Sequence, residues 1–211
     1  MPEPEHQGKL ISVQIGATAT GMWALQSTDN IDGPPERRLW SLETATLLCN
    51  GATWSKIGGR TIPLSAKIAG DGSGNYTFGA GSTNLLALPV LRTDNSGGMH
   101  ATAHALTCLR ANVYTATGSV LNRVSTMASE IDLFLAKNSN PADPDTLVTL
   151  TSAPTVSGEA LVQLAKTGTM PLLAGDFVSV KQYASVALTV DNRAGAPAYI
   201  ATLELAERPS W

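Results

Sequence analysis

The sequence predicts an all-β protein whose C-terminal part is a two-sheet antiparallel sandwich. Apolar and polar residues alternate at a period of two instead of recurring at helical spacing. Turn-forming residues interrupt these runs at short intervals. No window shows a capped amphipathic helix.

In chain order, residues 10–15 (LISVQI) read as a strand, and residues 39–49 have strand character. Residues 71–81 (DGSGNYTFGAG) read as an irregular glycine loop. Strands are then expected at about 101–107, 108–115, 130–137, 146–151, 160–166, 176–182, 186–191 and 198–206. In residues 129–137 (SEIDLFLAK), Ile131, Leu133 and Leu135 share one face. In residues 176–183 (DFVSVKQY), Phe177, Ser179 and Lys181 alternate with Val178, Val180 and Gln182. In residues 198–207, Ile200, Thr202 and Glu204 oppose Tyr199, Ala201, Leu203 and Leu205. Loops fall at 138–145 (NSNPADPD), 174–176 (AGD) and 191–197 (DNRAGAP). The expected division is an irregular β-rich arm or small module over 1–97 and the sandwich over 98–211. The boundary is placed at the DNSGG run, residues 94–98.

Hydrophobic residues make up 43% of the 211 and charged residues only 15%, well below the usual quarter. The chain has enough to bury to exclude disorder. The 17 Ser, 23 Thr and 28 Ala take the surface role that Lys and Glu usually fill. A net charge of −3 gives no basic footprint, so no nucleic-acid partner is expected. No apolar run is long enough for a membrane helix, and the N-terminus MPEPEHQGKL lacks a signal-peptide pattern. Synthesis in a cytoplasm, without membrane association, is the expectation. Cys49 and Cys108 have no metal or redox spacing and read as reduced, buried residues.

Chemistry-bearing patterns are scarce. On one strand, His100 and His104 would sit about 13 Å apart, too far to share a metal. The GDGSG run at 70–74 lacks the Lys-Ser/Thr of a phosphate loop. The DNIDG run at 29–33 lacks calcium-loop alternation and reads as a turn. The sequon at Asn75 has no signal peptide to deliver it for glycosylation. Three histidines leave little room for a catalytic triad, and no carboxylate pair stands out. The reading is therefore no enzyme, no catalytic residue, no metal and no cofactor. Trp23, Trp40, Trp54 and Trp211 are the candidate interface residues, because tryptophan is enriched at interface hot spots.

Two stretches carry a resemblance. Residues 27–57 (STDNIDG, then LWSLETATLLCNGATWSKI) resemble a segment of bacteriophage structural proteins in which an Asn-Gly hairpin reads roughly NGttWdr. Ser55-Lys56 departs from the usual Asp-Arg. Residues 131–180 are similar to the trimeric jelly-roll domains of phage fibre and capsid-decoration proteins, which share the tumour-necrosis-factor and C1q fold. The matching pieces are FLAKN at 134–138 and MPLLAGDFVSV at 170–180. The resemblance implies a C-terminal jelly roll, homotrimers and a place in a virion.

The leading expectation is a homotrimeric capsid decoration (cement) protein on the capsid surface. Its partner would be the major capsid protein, contacted through residues 1–97. The alternative is a tail fibre or receptor-binding protein, partnered by tail proteins and a host surface receptor. A polysaccharide-cleaving enzyme and a non-viral trimeric adhesion module are the remaining readings.

Overall fold

The computed structural model describes residues 6–16, 23–26, 36–39, 43–51, 53–59, 61–94, 99–124, 130–138, 147–150, 160–191 and 201–208. Among them there is no α-helix, and every strand pairing is antiparallel. The chain divides into two compact units. One is Met1–Pro63 with Ser96–Gly98, and the other is Leu64–Asn95 with Met99–Trp211.

In the first unit, β1 (Leu10–Gln14), β4 (Thr44–Cys49) and β5 (Trp54–Gly58) form a three-stranded sheet in the order β1-β4-β5. A separate two-stranded ladder joins β2 (Trp23–Gln26) to β3 (Glu36–Leu39). The sequence reading of 39–49 as one strand thus resolves into the end of β3 and the whole of β4. Strand β4 alternates cleanly: Ala45, Leu47 and Cys49 are buried, while Thr44, Thr46 and Leu48 are half-buried. The expected Asn-Gly hairpin joins β4 to β5. The Asn50 N–H donates to the Thr53 carbonyl at 3.0 Å. The Thr53 N–H donates to Asn50 Oδ1 at 2.7 Å, and Asn50 Nδ2 donates to Thr53 Oγ1 at 2.7 Å. Gly51 takes φ +91°, which a residue with a Cβ rarely adopts.

The second unit is a sandwich. Eight strands form its frame: β6 (Ser65–Ala69), β11 (Ala105–Cys108), β12 (Asn112–Val124), β13 (Ile131–Lys137), β14 (Leu147–Leu150), β15 (Ala160–Leu172), β16 (Phe177–Ala184) and β18 (Thr202–Glu207). They pair first with last, second with seventh, third with sixth and fourth with fifth. This nesting is a long antiparallel hairpin wrapped over itself, which is a jelly roll. Five short strands extend it: β7 (Tyr76–Phe78), β8 (Ser82–Leu85), β9 (Val90–Asp94), β10 (Met99–Ala101) and β17 (Leu188–Val190). One sheet runs β10-β11-β16-β13-β14, with β8 beside β16. The other runs β7-β17-β12-β18-β6-β9, with β15 beside β12.

The core lies between the sheets. Ile68, Tyr114, Ala116, Leu203 and Leu205 face it from the seven-stranded sheet. Leu106, Ile131, Leu133, Leu135, Val178 and Val180 face it from the six-stranded sheet. Each such Leu or Ile side chain stabilises by roughly 1.5–3 kcal/mol through burial. Gly118 on β12 lets the sheets approach: a Cβ there would sit 2.9 Å from Leu135 Cδ2 and 3.3 Å from Val180 Cγ2.

Three expectations need correction. A sandwich that starts only at residue 98 starts too late, because β6, β7, β8 and β9 already belong to the sandwich unit and are paired there. A Gly- and Asn-rich run marks a loop, and a loop need not be a domain boundary. The window 101–107 contains a turn between β10 and β11, where Thr102 Oγ1 accepts from the N–H groups of His104 (3.3 Å) and Ala105 (3.1 Å). The window 108–115 straddles the bend between β11 and β12, and both it and 160–166 stop too early: β12 and β15 pair over thirteen residues each, through Gly118, Gly168 and Pro171. Pro171 is tolerated because β15 is an edge strand.

Candidate interaction surfaces

The two motif pieces of the jelly-roll resemblance meet at one corner of the sandwich. Residues 134–138 end β13, and Gly175-Asp176 opens β16. Gly175 takes φ +96° and donates its N–H to the Cys108 carbonyl at 2.8 Å. The Asp176 carboxylate accepts from Asn138 Nδ2 (2.8 Å) and the Leu173 N–H (2.8 Å), and Lys137 Nζ lies 2.9 Å away. Asn138, at φ +50°, accepts the Phe177 N–H on its Oδ1 at 3.0 Å. Partial burial works to raise the Asp176 pKa. The bonds from Asn138, Leu173 and Lys137 outweigh it and hold the carboxyl below its usual value. Beside this corner, burial first, and then the Asp176 charge, push the Cys108 thiol up to about 11. Cys108 Sγ donates to the Leu173 carbonyl at 2.9 Å. Cys49 and Cys108 are both buried and form no disulfide.

A second cluster closes the opposite register of the seven-stranded sheet. Glu207, buried at the end of β18, pairs with Arg110 through two of the guanidinium nitrogens, Nε at 2.8 Å and Nη2. It also accepts from Asn112 Nδ2 at 2.7 Å and from the Leu64 N–H at 2.9 Å. The Tyr114 hydroxyl donates to the Arg110 carbonyl at 2.7 Å. Burial, and then the Glu207 charge, raise the Tyr114 pKa. Sequence reading missed this cluster. The available signal is that Glu207 continues the buried face of Leu203 and Leu205.

The outer faces of the two sheets differ in chemistry. On the seven-stranded sheet, Thr115, Thr117, Ser119, Ala165, Thr167, Thr169, Thr202 and Ala206 face outward. Their hydroxyls pair across strands: Thr117 with Thr167 at 3.0 Å, and Ser119 with Thr202 at 2.7 Å. Lys67 and Glu204 form an ion pair on this face at 3.8 Å. Val113 and Leu161 stand at its ends, 39% and 50% exposed. On the six-stranded sheet, the outward rows carry half-buried Phe134, Phe177, Tyr183 and Lys181, with exposed Leu85. Asp132 lies on the same face. Burial first, and then the neighbouring Glu130 charge, raise its pKa.

The tryptophans are scattered. Trp54 opens β5, half-buried, on the same face as its ladder partner Cys49. Trp23 opens β2 opposite Leu39. Trp40 and Trp211 lie outside the described residues, as do the DNIDG run and most of the 138–145 loop. His100 sits in β10, and His104 in the turn after it, its Nδ1 3.2 Å from the Leu86 carbonyl. Asp71 Oδ1 accepts the Ser73 N–H at 2.9 Å, so the GDGSG run is a side-chain-capped turn. No helix among the described residues is long and apolar enough to cross a membrane.

No protein-family model matches the chain, and no curated protein matches it. Solved structures do. Eiger TNF from S. frugiperda aligns with a TM-score of 0.51 at 15% identity, over 71% of this chain and 96% of its own. Murine APRIL at pH 5.0 aligns with a TM-score of 0.51 at 12% identity, over 70% of this chain and 100% of its own. Nearly the whole of each neighbour is matched. The chain carries a TNF-like jelly roll.

Proposed function

We propose that the protein is a non-catalytic, homotrimeric structural protein of a bacteriophage virion, and that its trimers decorate the surface of the assembled head. The observation that carries the trimer reading is the outer face of the seven-stranded sheet. Its side chains are mostly short, Thr117 with Thr167 and Ser119 with Thr202 pair their hydroxyls, and the charges of Lys67 and Glu204 are paired with each other. Covering such a face costs little side-chain entropy and strands few polar groups. Val113 and Leu161 add apolar area at its ends. The jelly-roll resemblance of residues 131–180 implies the same trimer, and residues 27–57, with their Asn50-Gly51 hairpin, support the phage reading. Decoration needs no chemistry: a ligand that binds only the assembled shell stabilises it by mass action.

One observation favours the tail-located, receptor-binding alternative. Phe134, Phe177 and Tyr183 line the outer face of the other sheet, and aromatic faces suit sugar rings.

Sedimentation equilibrium tests the trimer, and a monomer at micromolar concentration overturns it. Gold labelling of intact particles tests the location. Label over the head, with shells that fail at lower temperature when the protein is missing, is the expected result. Label at the tail replaces decoration with receptor binding.

A further inference from the structure

The core of the jelly roll is aliphatic along most of its length and turns polar at one end. Among the described residues, the buried side-chain nitrogen and oxygen atoms without a hydrogen-bond partner in the protein belong to Asn122, Ser179 and Gln182. Asn122 and Ser179 are 0% exposed and Gln182 is 1% exposed. Buried polar atoms are costly to the fold unless something bonds them. Ser179 alternates with inward Val178 and Val180, so it lies on the outer side of its sheet. The two carboxamides lie on the inner side.

Strand register places them at the same end of the core. Strand β15 runs into the turn at 173–176, β16 runs out of it, and β12 is antiparallel to β15. Strands β12 and β16 therefore both run away from that turn, one on each sheet. Gly118 of β12 meets Val180 of β16 across the core. Asn122 lies four residues beyond Gly118, and Gln182 two beyond Val180, and even steps keep the face. At about 3.3 Å per residue they differ by about 7 Å along the strands, with about 10 Å between the sheets. The ladder neighbours of Asn122 are Val162 and Val190, which offer its amide no polar side chain. Those of Gln182 are Leu133 and Asn84. Asn84 is half-buried and donates its Nδ2 to the carbonyl and the hydroxyl of Ser82, each at 3.0 Å.

We propose that this end of the core is an interior hydration site, where ordered water binds between Asn122 and Gln182 and joins the two sheets through them. The ligand is water for two reasons. The amides together present two NH2 groups and two carbonyl oxygens without charge, and a small neutral molecule that both donates and accepts answers them. The two side chains form no bond with each other, and a water with two bonds of about 2.8 Å joins groups about 5.6 Å apart. Asn84 shares the inward direction of Gln182 and marks β8 as the side on which the site approaches solvent.

The test is a crystal structure of the full-length protein at a resolution that shows ordered water, with thermal melting of three variants at one protein concentration. The expected result is one water, or a bonded pair of waters, within about 3.2 Å of the side-chain amides of both Asn122 and Gln182. Asn122→Leu and Gln182→Met should each lower the melting temperature by at least about 3 °C, because each leaves the other amide buried with fewer bonds. The double variant should melt within about 2 °C of wild type or above it, because neither amide is left to be satisfied. Carboxamides bonded directly to each other, or no water between them, overturn the site. Losses that simply add in the double variant overturn it as well, since each amide would then be bonded independently of the other. If a variant fails to fold, the wild-type crystal structure decides by itself.

Discussion

The two sheets of the jelly roll share one core yet present opposite outer faces. The seven-stranded sheet shows short hydroxyl and alanine side chains, tied together across strands. The six-stranded sheet shows Phe134, Phe177 and Tyr183 around Lys181. Inward residues are predominantly aliphatic on both sides, with Tyr114 on one sheet and Gln182 on the other among the exceptions. The difference teaches that the interior specifies the fold and the outer faces specify what the fold meets. A face of mostly short side chains suits a large, close-packed contact, and an aromatic face suits a smaller ligand.

The largest expected effect comes from the frame both faces depend on. Glu207 ties Arg110, Asn112 and the start of β6 to the end of β18. Glu207→Ala leaves the Arg110 guanidinium, only 14% exposed, without its carboxylate. Breaking such a pair costs about 3–5 kcal/mol. Urea unfolding should show a fall of that size, and a loss below about 1 kcal/mol would mean that the cluster does not hold the frame.

The next test sets one face against the other. Thr117→Arg places a long charge at the centre of the hydroxyl face, and Thr107→Arg places one on the outward side of the six-stranded sheet. Thr117→Arg should weaken assembly at least a hundredfold, equal to about 2.7 kcal/mol, while Thr107→Arg should leave the oligomer mass unchanged. Equal effects would remove the distinction between the faces.

A smaller effect belongs to the Asp176 corner. Asp176→Asn loses the Lys137 pair and should cost about 1–2 kcal/mol at pH 7. Because the folded pKa is depressed, the carboxylate contributes stability that is present above its unfolded value, about 3.9. That contribution is lost as pH falls through the lower, folded value. Wild type and variant should therefore converge below about pH 4 in acid unfolding.

The smallest effect has the opposite sign. The Asp132 pKa is raised, so its ionised form is disfavoured in the folded state. The penalty is present above the folded pKa and disappears as pH falls below the unfolded one. Asp132→Asn should raise the melting temperature slightly at pH 7 and leave it unchanged near pH 3.

Much of the local structure was legible. Alternation located β1, β13, β16 and β18 and told which residues share a face, because the period of two is a property of the strand itself. Asn50-Gly51 and Gly175-Asp176 announced their turns because few residues accept positive φ. The ends of β12 and β15 were not legible: Gly118, Gly168 and Pro171 are poor strand formers. They are held in strands by the β12–β15 ladder, where Gly118 lies opposite Lys166, Gly168 opposite Ala116 and Pro171 opposite Val113, and, for Gly118, by the approach of Leu135 and Val180. The Trp54 environment was equally hidden, since its neighbour Cys49 is set by hairpin register.

By itself, then, the sequence determined the β class, the two faces of each strand and the chemistry of the turns, all of which depend on residues close along the chain. Only the tertiary structure decided that β6 pairs with β18 across well over a hundred residues, which moved the start of the sandwich back to Leu64. It also decided which face of each strand is turned to the core. A period of two defines two faces and does not say which is buried. That choice is made when the sheets close on each other and bury the apolar side of both.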